Sequence, residues 1–401
     1  MWDRVVDQPW LARIVDQPLW RNGLDQSLSE AALDQVVTTF GSHTTNGPGV
    51  DDVFDRHAAA VGYYGSGKVA FRDGLAAFGT DGETVFLPAY LPDAVAEPVY
   101  ELGLQPRYYP VRRTLEPDVA ELEAAVDEDT AAIVTVEYFG FAQPGTAAIA
   151  DLCESVDAVC VVDAAHAALS VSGGQLLATR GDVGFTSLRK LLAIPDGGAL
   201  FLPSAHLARR FEPSSLCGPR ERIRPDDLSA WSVTRLAAAR DDGGALGSVL
   251  ERVEETTGSA GSVPGPRDRY EASKSRLSWL SWELLTRTDP ALVRARRRRN
   301  YRAWLAVLDG RPDVRPLYPD LPAGICPQSC PVYAEDPDRT LARLSTAGIR
   351  TAHTWPRLDR AVSADPTFET AQELSSHVVA LPVHQCLSPD RIAAVDDRLS
   401  R

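Results

Sequence analysis

Four side chains with complementary chemistry fall in one short run of this 401-residue sequence, VCVVDAAHAALSVSGGQLLATRGDVGFTSLRKLLAIPDGGALFL, which spans residues 159–202. Asp163 ends an apolar stretch and His166 follows three residues later. Ser187 stands three residues ahead of Lys190, with Gly197 and Gly198 just beyond. A carboxylate can keep a pyridine nitrogen protonated, an amine can form a Schiff base with an aldehyde, and a hydroxyl with backbone amides can hold a phosphate. Together these are the needs of a pyridoxal 5'-phosphate site. Lys190 is conspicuous for a second reason, since only Lys68, Lys190 and Lys274 occur in the chain. Its neighbours Leu188, Leu191 and Leu192 would desolvate the amine, favouring the neutral form that attacks a carbonyl and later moves protons. Taken alone, Asp163 reads as a helix N-cap and His166 as a satisfied core histidine. Beside Lys190, Asp163 reads as the partner of the ring nitrogen and His166 as a neighbour of the ring or its phenolic oxygen.

Upstream, Gly62–Lys68 formally satisfies GxxxxGK, but Val69 follows where a nucleotide-binding loop needs Ser or Thr for magnesium. Gly65, Ser66 and Gly67 instead read as small residues exposing backbone amides at a helix start, with Lys68 beside them, which suits any phosphate. Cys326 and Cys330 form a lone CxxxC with no histidine at ligand spacing, and the six cysteines read as buried thiols. No metal is expected.

Elements that could position these groups follow from the pattern. Short apolar runs at Val85 to Leu87, Ala131 to Val136, Val159 to Val162, Val183 to Thr186 and Ala199 to Leu202 alternate with amphipathic helical stretches, the signature of a three-layer α/β domain with a parallel sheet. Asp163 then emerges at the carboxyl edge, where such sheets bind ligands. Polar Gly/Ser/Pro-rich stretches, RDDGGALGS and TTGSAGSVPGPRDR, lead to a long helix around Pro290 to Leu308 and to a smaller α+β unit containing CPVYAE, DRTLARLSTAG, AHTW, SHVVALPVH and SPDRIAAVDDRL. The expected division is residues 1–60 as an N-terminal arm and lead-in, 61–262 as the large cofactor-binding domain, and 263–401 as the long helix and small C-terminal domain.

Fifty-five Asp and Glu against 41 Lys and Arg leave a formal charge of −14, and an acidic surface almost stripped of lysine points to a salt-rich cytoplasm or a GC-rich genome. It argues against nucleic acid as a partner; the basic run RARRRRN at Arg294 to Asn300 reads as a solvated or interface helix face. No apolar run approaches a membrane span, and the N-terminus carries acids and prolines where a signal peptide needs an apolar core. A cytoplasmic location is expected.

The order and spacing of GPGVDDVF, GSGKVAFRDGLAAFG, VFLPAYLPDAVAEPVYELGLQPRYY, VEYFGFAQP, VVDAAHA, GDVGFTSLRK, RRRRNYRAWL and LPVHQ resemble the DegT/DnrJ/StrS sugar aminotransferase family, from about Gly47 to the C-terminus. The resemblance implies a fold-type I, aspartate aminotransferase-like architecture and an enzyme that moves an amino group from a donor such as glutamate to a keto group on a nucleotide-linked sugar. It makes Lys190 the Schiff-base lysine, pairs Asp163 with the pyridine nitrogen and sets His166 by the ring oxygen. Gly65 to Lys68 and Ser187 go to the phosphate, and Tyr90 becomes the candidate over the ring. It also implies a homodimer with shared active sites, in which Ser273 to Arg276 reaches the neighbour's cofactor. The rivals are elimination or dehydration on the same fold, for which relatives replace the lysine with histidine, and a non-catalytic sensor or scaffold, which has no need of both Asp163 and Lys190. Arg350, Arg357, His353 and His384 fall in C-terminal loops, and nothing in the sequence ranks them.

Overall fold

The computed structural model describes residues 47–78, 82–222, 227 and 265–396. Residues 1–46 of the expected N-terminal arm and most of the polar stretch before the long helix lie outside them.

Strands β1 (Ala60–Tyr64), β2 (Thr84–Pro88), β3 (Gln105–Tyr109), β4 (Thr130–Val136), β5 (Val159–Asp163), β8 (Val183–Ser187) and β9 (Gly198–Leu202) form a seven-stranded sheet in the order β1-β9-β8-β5-β4-β2-β3. The short pair β6 (Val171–Ser172) and β7 (Gln175–Leu176) stands apart. Strands β3, β2, β4, β5 and β8 run parallel, and β9 lies antiparallel to both β8 and β1. Every residue of β2, β4 and β9 is buried, as expected of strands covered on both faces. Successive side chains feed different layers. Phe86, Ile133 and Cys160 join one apolar cluster with Leu122 and Ile149, while Val85, Leu87, Val134 and Val161 join the main core on the other face.

The helices are α1 (Val50–Asp55), α2 (Gly67–Phe78), α3 (Glu97–Glu101), α4 (Val119–Ala125), α5 (Thr146–Ser155), α6 (Ala205–Arg210), α7 (Pro266–Glu271), α8 (Trp279–Arg287), α9 (Pro290–Leu308), α10 (Pro337–Thr346), α11 (Arg360–Ala364), α12 (Glu369–His377) and α13 (Pro389–Ala393). Helix α2 buries Val69, Ala70, Phe71 and Leu75, and Phe71 stacks on Phe185 at 4.8 Å. In α9, Pro290 opens the first turn while Asp289 caps it by accepting from Ala291 N and Leu292 N. The C-terminal unit is a four-stranded antiparallel sheet, β10 (Val314–Pro316), β11 (Ser329–Ala334), β13 (Val378–Pro382) and β12 (His353–Thr354), in that spatial order. No helix among the described residues is long and apolar enough to cross a membrane.

The five sequence-predicted strands are present, and the sheet has two more. AVGYY and QPRYY, which are not among those runs, form the edge strands β1 and β3. The basic run is also corrected. Arg294 donates to Leu169 O at 2.8 Å, Arg298 to Pro322 O and Ile325 O at 2.5 and 2.9 Å, and Arg297 is buried. Three of its arginines therefore tie loops to α9 instead of forming a purely solvated face.

Candidate active site

The topology brings three loops to one sheet edge. Asp163 ends β5 and pairs in register with Phe185 of β8, so the two strands deliver their next residues side by side. Strand β8 turns back into β9 with Ser187 opposite Gly198, and Lys190 rides on that turn. Strand β9 in turn sets Tyr64 of β1 opposite Gly198, which places Gly65 to Lys68 beside the same turn. The close approach requires glycine. A Cβ on Gly65 would stand 2.1 Å from Ser275 Oγ, and one on Gly198 would stand 2.3 Å from Gly67 N.

The result is a pocket of about 620 Å³ whose lining includes Gly65, Ser66, Gly67, Lys68, Asp163, His166, Ser187 and Lys190. Eight of the nine sequence-predicted site residues meet there. Tyr90 does not. It is fully buried, its hydroxyl donates to Trp355 O at 2.5 Å, and its ring packs on Trp355 and Tyr138. An aromatic residue from the small unit, Trp355, joins the lining instead, 4.9 Å from the His166 ring. Tyr90, which the family resemblance makes the candidate over the ring, is instead buried behind Trp355.

The electrostatics follow from burial. Asp163 is 4% exposed; desolvation pushes its carboxyl up to about 6, against the pull of Lys190 and of the Ala165 amide that donates to Oδ1 at 2.8 Å. Desolvation draws the Lys190 amine down to about 8, with Asp163 opposing and Arg189 and Lys68 reinforcing. His166 is held well below its ordinary value by burial. Its Nδ1 accepts from Phe139 N at 3.2 Å, which assigns the ring proton to Nε2.

Lys68 is half-buried, and its amine is drawn down to about 8, first by desolvation and then by Arg269 and Arg189. Among the described residues no carboxylate lies within ion-pair distance of Lys68 or Arg189, whereas Arg269 bonds Asp93 at 2.6 Å and Lys274 pairs with Glu101 and Glu271 at 2.9 and 2.8 Å. Asp196, also in the lining, is occupied by Ser278, Ser281 and Arg220. The pocket therefore carries uncompensated positive charge at the loop that opens α2, where an anion is favoured. Ser66 stands at that helix start, with Val69 N 3.4 Å from its Oγ.

Ser273 to Arg276, expected at a neighbour's site, packs against its own chain. Ser273 and Ser275 line this pocket, Ser66 Oγ lies 3.2 Å from Ser273 Oγ, and Gly65 N donates to Ser275 O at 2.8 Å. Of the unranked C-terminal residues, Arg357 bonds Asp93 at 3.0 Å, His353 is exposed on β12, and His384 offers its carbonyl to Asn300. Sequence reasoning missed Trp355, Arg189 and Arg269 in the lining. Only Arg189 had a local signal, adjacency to Lys190.

Residues 51–228 match the model of the DegT/DnrJ/EryC1/StrS aminotransferase family, which bears out the resemblance read from the sequence. Among solved structures the chain is similar to a DegT DnrJ EryC1 StrS aminotransferase from Brucella abortus, at 22% identity over 92% of this chain and 94% of that one, with a TM-score of 0.61. It is similar to the sugar aminotransferase CalS13 from Micromonospora echinospora, at 20% identity over 94% and 98% with a TM-score of 0.60. A third likeness is to DesI, solved in the presence of its TDP-sugar product, at 18% identity over 93% and 90% with a TM-score of 0.62. At these identities the likeness establishes the fold, that of fold-type I aminotransferases. No curated protein sequence matches the chain.

Proposed function

We propose that this chain is an aminotransferase dependent on pyridoxal 5'-phosphate, which takes an amino group from a donor such as glutamate and delivers it to a keto group on a nucleotide-linked sugar. The observation that carries the reading is a buried carboxylate, Asp163, and a desolvated amine, Lys190, in one pocket with Lys68, a cation that no carboxylate among the described residues pairs. The residues fit the cofactor: Lys68, Ser66 and Ser187 would hold its phosphate, Asp163 its ring nitrogen, and His166 Nε2 its ring oxygen. When bound, the cofactor supplies an aldehyde and an electron-withdrawing ring.

The protein's side chains supply the rest. Asp163, charged above about pH 6, would pair with the ring nitrogen and hold a proton on it, a pairing that its apolar surroundings strengthen. Lys190, near 8, keeps a neutral fraction at neutral pH, so its Nζ can attack a carbonyl and, once released, take the proton from the carbon that bears the donor's amino group. Trp355 walls the pocket and excludes water. Arg189, exposed at the rim and, among the described residues, without a carboxylate at ion-pair distance, suits a carboxylate of the donor or a phosphate of the acceptor.

The nucleotide-sugar acceptor draws on what the similar structures are named for, and the homodimer on the family resemblance. Elimination is disfavoured because Lys190 stands where dehydratase relatives carry histidine. The test offers the reconstituted protein a panel of amino donors and nucleotide-linked keto-sugars and follows the cofactor's absorbance. Conversion by glutamate and reversal by a keto-sugar are expected; reversal by none of the sugars, with ordinary 2-oxo acids active, would reassign the acceptor.

A further inference from the structure

Arg297, on the inner face of α9, is 3% exposed, and among the described residues its guanidinium meets no carboxylate. Its hydrogen-bond acceptors are backbone carbonyls: Nη1 donates to Pro327 O at 3.2 Å and Gln328 O at 2.9 Å, and Nη2 to Lys190 O at 3.2 Å and Leu191 O at 3.0 Å. Burying a charge without a counter-ion is costly, and an apolar side chain would fill the same helix position. What the guanidinium adds is a rigid planar fork that reaches two loops at once.

Both loops belong to the site. One is the turn that carries Lys190. The other backs His166, because Gln328 N donates to Phe139 O at 2.8 Å and Phe139 N donates to His166 Nδ1 at 3.2 Å. Gln385 reinforces the first loop through Leu191 O at 2.6 Å, and Asn300, three residues along α9 from Arg297, holds the carbonyls of His384 and Leu387 around it. We propose that Arg297 is a positioning residue: it pins the Lys190 peptide to the loop behind His166 and so sets where the amine stands relative to Asp163 and His166. The proposal rests on the reading of Lys190 as the reactive amine.

The charged groups facing that amine are Asp163, Arg189 and Lys68. Releasing the turn would admit water and move the amine from about 8 toward an ordinary lysine. Trace acetylation of the cofactor-free protein across pH, read by peptide mapping, has three side-chain answers, with Lys274 as a surface reference.

In Arg297→Gln the Lys190 midpoint should rise by about one pH unit or more, cutting the neutral fraction at pH 8 from about one half to about one tenth. Lys274 should not move. Arg297→Lys keeps the charge but loses the fork and should shift the midpoint in the same direction. A variant that melts earlier with the Lys190 midpoint unmoved would reduce Arg297 to ordinary packing and overturn the proposal. If Arg297→Gln does not fold, Arg297→Lys decides by the same criterion. Because no cofactor is present, these midpoints stay readable even if the cofactor were later found on another lysine, a result that would overturn the functional reading separately.

Discussion

Replacing Asp163 by Asn should make the cofactor-free protein more stable while loosening its hold on the cofactor. The carboxyl is held at about 6, chiefly by burial, whereas an aspartate in an unfolded chain titrates near 3.9. The folded state therefore resists ionisation. Above about pH 6 the group is charged in both states and folding bears the whole penalty, about 3 kcal/mol from a difference of about two units at 1.36 kcal/mol each. As pH falls the penalty fades; about half remains at pH 5, and little below pH 4. Asn keeps the shape, and its carbonyl can still accept from Ala165 N, so the change removes mainly the charge. Urea unfolding of the cofactor-free proteins should show Asp163→Asn more stable by about 2–3 kcal/mol at pH 8, with the advantage roughly halved at pH 5. In parallel titrations pyridoxal phosphate should bind the variant at least tenfold more weakly, because a neutral amide cannot hold the ring nitrogen protonated. A variant equally or less stable at pH 8, or an advantage that ignores pH, would refute the electrostatic reasoning. Unchanged cofactor affinity would make Asp163 a loop cap.

Four further outcomes are expected. Lys68→Met should weaken pyridoxal phosphate at least tenfold and leave pyridoxal, which lacks the phosphate, unaffected in a fluorescence titration; equal losses would move Lys68 away from the phosphate. Phosphate affinity in the wild type should fall as pH rises through about 8, where the free Lys68 amine loses its proton. A net charge of −14 should make the melting temperature rise from dilute buffer to 1 M potassium chloride, where screening shortens the reach of repulsion to about 3 Å; a flat or falling profile would remove the halophile expectation. Mixing chains carrying Lys190→Ala with chains carrying Ser275→Trp should restore no activity, because Ser275 packs on Gly65 of its own chain. Regained activity would return that segment to a neighbour's site.

The parts of the fold legible in the sequence were those whose burial is written locally. Strands β2, β4, β5, β8 and β9 are apolar runs because helices cover both faces of the sheet. Strands β1 and β3 lie at its two edges; a glycine interrupts AVGYY and a proline and an arginine interrupt QPRYY, so no apolar run announced them. In the site, Asp163, His166, Ser187 and Lys190 were legible because adjacent strand ends deliver them within a few residues of one another. Trp355 and Arg297 were not: each reaches the site from the C-terminal half of the chain, and only tertiary packing sets an indole by His166 or a guanidinium under Lys190. The arginine run misled because charge on a helix ordinarily faces water. Here the arginine stems cross apolar surface and their heads find backbone carbonyls.

The most direct test of the central claim is where the cofactor becomes attached. Protein reconstituted with pyridoxal phosphate, reduced with borohydride and digested, can carry the label on Lys68, Lys190 or Lys274. Lys274 is engaged by two carboxylates at the surface, and Lys68 stands at the phosphate loop; Lys190 alone shares the sheet edge with Asp163. The label should appear on the peptide containing Lys190 and vanish in Lys190→Ala. A label on Lys68 or Lys274, or no reducible attachment at all, would contradict the account.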